Sequence, residues 1–180
     1  LPNDRFGSCL SALSDHDGDG VADLIVGAVY AGDPGATSAG PGASYVYSGA
    51  TLAPGGTPTI VSQQTGVSNR DHFGYSVCDA GDVDGDGLSD YAVGAVYEGP
   101  TGGTVRIYES STQAAKCVLT GSLQPYEFGS ALATAGDLDG DCVPDLVVGS
   151  RLDSGQQGAA YVFSGADCSE IYAIPSPAGG

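Results

Sequence analysis

Residues 73–94 read FGYSVCDAGDVDGDGLSDYAVG. A Phe-Gly pair and a run of small residues lead into D-x-D-G-D-x-x-x-D, Asp82 to Asp90. A short apolar run closed by Gly94 follows. The same arrangement stands at two other places, opened by Phe6-Gly7 and Phe128-Gly129. The first loop aspartate, Asp15, Asp82 or Asp137, comes nine residues after each Phe. Twelve residues further on lies a glycine, Gly27, Gly94 or Gly149. A flexible link would tolerate insertions, so invariant spacing means that a rigid local structure joins Phe, loop and glycine.

Working outward, length varies only between these blocks. Phe6 to Phe73 is 67 residues and Phe73 to Phe128 is 55. Half of the extra 12 falls in Ala31 to Gly42 and half around Pro54-Gly55-Gly56, both loop-like in composition. Each unit reads as four strands. The first starts at the Phe-Gly pair. The second is the apolar run Leu24-Ile25-Val26, Tyr91-Ala92-Val93 or Leu146-Val147-Val148, continuous as in a strand buried on both faces. The third is Tyr45-Val46-Tyr47, Val105 to Tyr108 or Tyr161-Val162-Phe163. The fourth is Thr59-Ile60-Val61, Cys117-Val118-Leu119 or Ile171 to Ile174. A four-stranded unit of roughly 40 to 60 residues has the size of a propeller blade. The expected fold is all-β, with three four-stranded antiparallel propeller-type blades at 1–66, 67–121 and 122–180. Three blades are too few to ring an axis, so the propeller is incomplete or completed between molecules.

The loops have the chemistry of cation sites. Carboxylates at positions 1, 3 and 5 converge as the chain wraps: Asp15, Asp17, Asp19; Asp82, Asp84, Asp86; Asp137, Asp139, Asp141. Position 7 offers a backbone carbonyl from Val21, Leu88 or Val143, and position 9 a fourth carboxylate from Asp23, Asp90 or Asp145. Hard oxygen ligands in a flexible loop select Ca2+ over zinc or copper, so three calcium sites are expected. An EF-hand would need Glu at position 12, where Val26, Val93 and Val148 stand instead. Aspartate and glycine also make ordinary turns. A single D-x-D-G match would leave that explanation open, but three copies in register do not.

Charge fits this picture. With 22 acidic and five basic residues the net charge is 5 − 22 = −17, against nucleic acid and against an anionic membrane surface. Of the 18 aspartates, 12 lie in the loops. Three divalent cations would bring −17 to −11 and relieve their repulsion. No apolar run of about 18 residues exists to form a membrane helix. Leu1 stands where Met would initiate, so the chain is expected to be a processed product or a segment of something longer. Five cysteines beside calcium loops point to an oxidising, extracellular or cell-surface setting.

Phe-Gly, the D-x-D-G-D-G-x-x-D loop, Val-Gly-Ala and the Tyr45-Val46-Tyr47-Ser48-Gly49 strand together resemble the FG-GAP repeats of integrin α-subunit β-propellers. The resemblance covers nearly the whole chain. It implies blades of four antiparallel strands with calcium in the hairpin between the first two, held by the loop aspartates and position-7 carbonyls named above. Two departures stand out: Gly-Ala-Pro is replaced by Gly27-Ala28-Val29, Gly94-Ala95-Val96 and Gly149-Ser150-Arg151, and Cys142 takes the place of Gly20 and Gly87. Within a blade, the hairpins joining strands one to two and three to four lie at the same end. A Cys142–Cys168 disulfide is therefore expected, with Cys9 and Cys78 buried on first strands and Cys117 free or intermolecular.

Function classes separate unequally. His16 occupies a variable loop position, against Val83 and Leu138, and is expected to be exposed; His72 is expected in a connector. No nucleophile elbow, Cys/His pair or phosphate loop is present, so the chain is not expected to be an enzyme, although some calcium propellers of this kind are polysaccharide lyases. Glycan binding remains the alternative. Trp is absent, and Tyr45, Tyr47, Tyr108 and Tyr161 fall on strands, where packing is their expected role. The preferred class is a structural and interaction module with a protein or glycan ligand. It is expected to self-associate as a homo-oligomer or filament, or to be joined by the remaining blades of a longer chain.

Overall fold

The computed structural model describes residues 4–32, 40–100, 102–121, 127–151 and 157–177. They form twelve strands and no α-helix. The first sheet holds β1 (Phe6–Leu13), β2 (Asp23–Ala28), β3 (Ala43–Tyr47) and β4 (Ile60–Thr65). The second holds β5 (Phe73–Gly81), β6 (Asp90–Ala95), β7 (Thr104–Tyr108) and β8 (Ala115–Leu119). The third holds β9 (Phe128–Gly136), β10 (Asp145–Ser150), β11 (Ala159–Phe163) and β12 (Glu170–Pro175). In each sheet spatial order equals chain order and every pairing is antiparallel. These are three propeller-type blades, and the set does not close.

Strand register assigns each side chain to one of two faces, because successive side chains alternate. In the second sheet one face carries Val77, Val93, Tyr91 and Tyr108; the other carries Cys78, Ala92, Ile107 and Cys117. The first of these faces, together with Phe73, packs on Leu13, Ile25 and Val46 of the first sheet. The opposite face packs on Phe128, Leu146, Val148, Tyr161 and Phe163 of the third. Each interface thus joins an aromatic-rich face to the flatter back of the preceding sheet. As expected for a central strand enclosed on both sides, β6 is buried at all six positions.

Close approach between sheets depends on glycine. A Cβ on Gly27 would lie 2.3 Å from the carbonyl oxygen of Gly74, and one on Gly94 would lie 2.4 Å from that of Gly129. That explains the fixed glycine twelve residues after the first loop aspartate in the first two units: the next sheet's Phe-Gly turn sits directly on it. Cys9 Sγ and Ser76 Oγ donate to the same two carbonyls, at 3.1 and 2.5 Å.

The disulfide differs from expectation. Cys168 pairs with Cys117, their Cα atoms 6.3 Å apart, and Cys142 is an exposed free thiol. Cys117 lies on the back of the second sheet, and the β11–β12 hairpin carries Cys168 across the interface to meet it. The bond therefore staples two blades together rather than two hairpins of one blade.

Candidate metal centres

The loops connect the first two strands of each sheet, and their wrap is built by the aspartates themselves. Asp15 Oδ1 accepts hydrogen bonds from the amides of Gly18 at 2.7 Å and Asp19 at 3.1 Å, and its Oδ2 accepts from Gly20 at 2.8 Å. Asp82 does the same with Gly85, Asp86 and Gly87. Asp137 takes Gly140, Asp141 and Cys142. Position 6 is left-handed in all three loops, with φ of 83° at Gly20, 89° at Gly87 and 71° at Cys142. The cysteine keeps the wrap at the expense of backbone strain.

This geometry gathers carboxylates. In the first loop, one oxygen each from Asp15, Asp17 and Asp19 lies within 4.8 Å of the others. In the second loop the same holds for Asp82, Asp84 and Asp86. In the third the converging group is Asp137, Asp139 and Asp145, so position 9 stands in for Asp141. Such oxygen-only donor sets are what hard divalent cations take. The position-7 residues Val21, Leu88 and Val143 donate their amides to the position-5 carboxylates, each at 2.8 Å.

Position 9 has a second role that sequence pattern does not reveal. Asp23, Asp90 and Asp145 are buried. In each, Oδ2 accepts from the position-2 amide: His16 at 2.8 Å, Val83 at 2.8 Å, Leu138 at 2.7 Å. Oδ1 accepts from an amide just beyond the third strand: Gly49 at 2.8 Å, Ser110 at 2.7 Å, Gly165 at 3.2 Å. This carboxylate pins the cation loop to the neighbouring hairpin. Burial raises the Asp90 carboxyl above its ordinary range, partly offset by the amides of Ser110 and Val83, while Asp84 and Asp86 push it further up. From that hairpin Ser48, Ser110 and Ser164 also reach the position-5 carboxylates, at 3.2, 3.5 and 3.5 Å.

His16 is buried, contrary to the expectation of an exposed ring. The second loop covers it: Nδ1 donates to the Ser89 carbonyl at 2.7 Å, and the ring lies edge-on to Tyr91. The Ser89 amide in turn donates to the Asp15 carbonyl at 2.8 Å, so loops one and two are tied by two hydrogen bonds. At the equivalent point of the third loop Pro144 has no N–H to give. Lys116 bridges instead, from the Val83 carbonyl to the Gly165 carbonyl. His72 does sit in a connector, its ring between Tyr30 and Tyr97. Tyr108 and Tyr161 are core residues, while Tyr45 and Tyr47 are half-buried on the outer face of the first sheet.

Three units of this build, each a four-stranded sheet with an aspartate loop in its first hairpin, define the FG-GAP class of repeat. The profile of the FG-GAP repeat family matches residues 128–163. Integrin alpha-PS2 of Drosophila melanogaster is 37% identical over 162 residues, covering 81% of this chain and 11% of its own length. Integrin alpha-7 of Rattus norvegicus is 37% identical over 83% of this chain and 13% of its own length. Integrin alpha-3 of Mus musculus is 36% identical over 82% and 14%. A solved chain from the crystal structure of BBS1N in complex with ARL6DN overlays 92% of this chain and 42% of its own, at TM-score 0.49 and 14% identity. The chain belongs to the FG-GAP repeat family and is similar to integrin α chains, of whose length it spans a small part.

Proposed function

We propose that this chain is a calcium-loaded interaction module of the extracellular space or cell surface, and not an enzyme. The observation that carries this is the convergence of carboxylates at the same place in three successive blades. The ligands are Asp15, Asp17, Asp19, the Val21 carbonyl and Asp23; Asp82, Asp84, Asp86, the Leu88 carbonyl and Asp90; Asp137, Asp139, Asp141, the Val143 carbonyl and Asp145. Bound calcium screens loops that hold 12 of 18 aspartates in a chain of charge −17. The Cys117–Cys168 disulfide and the likeness to integrin α chains support the setting. The partner is a protein ligand or a partner chain.

Calorimetric titration of the metal-free chain tests the metal assignment. Three calcium ions bind per chain, and Asp86→Ala leaves two. Calcium at 100 times its dissociation constant adds about 2.7 kcal/mol per site, so chelator lowers the melting temperature by many degrees. A melting curve indifferent to chelator overturns the assignment.

A further inference from the structure

The loops of the first two blades are joined in a way that those of the second and third are not. Ser89, at position 8 of loop two, is buried and commits every polar group it has to the junction. Its amide donates to the Asp15 carbonyl at 2.8 Å, its carbonyl accepts from His16 Nδ1 at 2.7 Å, and its hydroxyl donates to Asp79 Oδ1 at 2.6 Å. Asp79 Oδ1 also accepts from the Gly81 amide at 2.7 Å, and its Oδ2 accepts from the amide and hydroxyl of Ser14 at 2.9 and 3.2 Å. One carboxylate thus holds the residue that precedes each loop. The junction reaches both position-9 carboxylates. The His16 amide donates to Asp23 Oδ2 at 2.8 Å. His16 Nε2 faces Gln113 Nε2 at 3.4 Å, the same nitrogen donates to the Ser110 carbonyl at 2.6 Å, and the Ser110 amide donates to Asp90 Oδ1 at 2.7 Å.

Between loops two and three none of these parts is repeated. Position 8 of loop three is Pro144, which has no N–H, and position 2 of loop two is Val83, whose side chain has no donor. Thr134 stands where the second blade has Asp79. Gly81, the counterpart of Ser14, meets only the Pro144 ring, which a Cβ there would approach to 2.8 Å. Among the described residues, loop three gives loop two no hydrogen bond. The bridge is the Lys116 ammonium on its flexible four-carbon stem, and it ends on the Gly165 carbonyl of the hairpin rather than on loop three itself.

We propose that cation sites one and two are coupled through Ser89 and His16, each raising the other's affinity for calcium, and that site three fills on its own. This rests on the calcium-module reading above and adds how its sites load. Clustered carboxylates repel one another, so wrapping an empty loop costs free energy that the cation must offset. With loop two held in its wrap, Ser89 is a fixed partner for Asp15 and His16, and part of the ordering cost of loop one is already met. Linkage makes the effect reciprocal. Charge alone works in the opposite direction, because a filled neighbour is less negative and attracts the next cation less. That effect acts on both pairs of neighbouring loops, so loops two and three are the control for loops one and two.

Calcium titration of the full chain, followed by two-dimensional amide NMR, tests it. The amides of Gly20, Gly87 and Cys142 donate to the first aspartate of their own loops, at 2.8, 2.9 and 2.9 Å, so each reports one site. Asp86→Ala empties site two; site one then binds calcium about tenfold more weakly, within the span usual for coupled sites, and site three is unchanged. Asp19→Ala empties site one and weakens site two by the same factor. Asp139→Ala empties site three and leaves site two unchanged. In a His16→Val background, which keeps every carboxylate of the three loops, Asp86→Ala no longer moves site one; a general loss of stability would not produce that difference. Peak dispersion verifies that each variant is folded. A site one indifferent to Asp86→Ala in the otherwise wild-type chain overturns the coupling, as does a site three that weakens along with site one. Amides that do not respond to calcium at all overturn the calcium reading and the coupling with it, an outcome distinct from three sites that fill independently.

Discussion

Cys142 occupies a left-handed position, φ 71°, that the other two loops give to glycine. A side chain there is strained by about 1–2 kcal/mol, partly offset because glycine is freer when unfolded. Cys142→Gly therefore raises stability by about 0.5–1 kcal/mol, read as a higher urea midpoint. The three free cysteines also differ in reactivity. Burial pushes the Cys9 thiol up to about 11 and the Cys78 thiol up to about 12, so neither forms appreciable thiolate at pH 8. Cys142 is exposed. A chromogenic thiol reagent at pH 8 titrates one thiol in the folded chain and three after denaturation. More than one fast-reacting thiol in the native state contradicts the shielding of half-buried Cys9 and buried Cys78. His72 gives a pH signature. Burial, then Arg5, lower it from 6.5, with Asp71 and Glu127 opposing. The unfolded chain then takes up the proton first, so this contribution to stability is present above about pH 6.5 and is lost as pH falls through the lower folded value. His72→Asn, which tolerates the local φ of 57°, makes the urea midpoint less steep between pH 7 and 5.5 than in the wild type. Equal slopes in the two proteins would remove His72 from the account.

Among elements, the loop and the hairpin beside it act as one unit because a buried carboxylate holds both. Asp90→Ala leaves the amides of Val83 and Ser110 without their acceptor, in a place where Asp90 is 0% exposed. The expected loss is about 3 kcal/mol even in chelator, where calcium plays no part. A variant as stable as the wild type in chelator shows that position 9 serves the cation alone. His16→Val, which copies the residue of the second loop, strands the Ser89 carbonyl at the contact between loops one and two. It costs about 1–3 kcal/mol. Hydrogen exchange at the Ser89 amide, now bound to the Asp15 carbonyl, quickens with it.

At the scale of the molecule, blade follows blade through one kind of contact, and a disulfide reinforces only the second of the two. Cys117 and Cys168 are 51 residues apart, and closing a loop of that length stabilises by about 4 kcal/mol on the chain-entropy account. The double variant Cys117→Ala, Cys168→Ser melts correspondingly lower, and the third blade loses exchange protection before the first. Peptide mapping without reductant recovers Cys117 joined to Cys168; recovery of Cys142 in a disulfide refutes the pairing.

The repeat, the four strands of each blade and the loop aspartates were legible in the sequence because they are local. A Phe, nine residues, a carboxylate loop and twelve residues to a glycine fix a hairpin whose every contact lies within about 25 residues. Continuous apolar runs then marked the buried strands β2, β6 and β10. The rest belongs to the contacts between blades. His16 is buried only because Ser89 and Tyr91, more than 70 residues away, close over it. Cys168 finds Cys117 rather than Cys142 because it packs on the back of the preceding blade. Gly27 and Gly94 are required by carbonyls of the following sheet, which no pattern within one repeat can show. Sequence periodicity specifies the blade. How one blade seats on the next is decided by which faces meet, and therefore by tertiary structure alone.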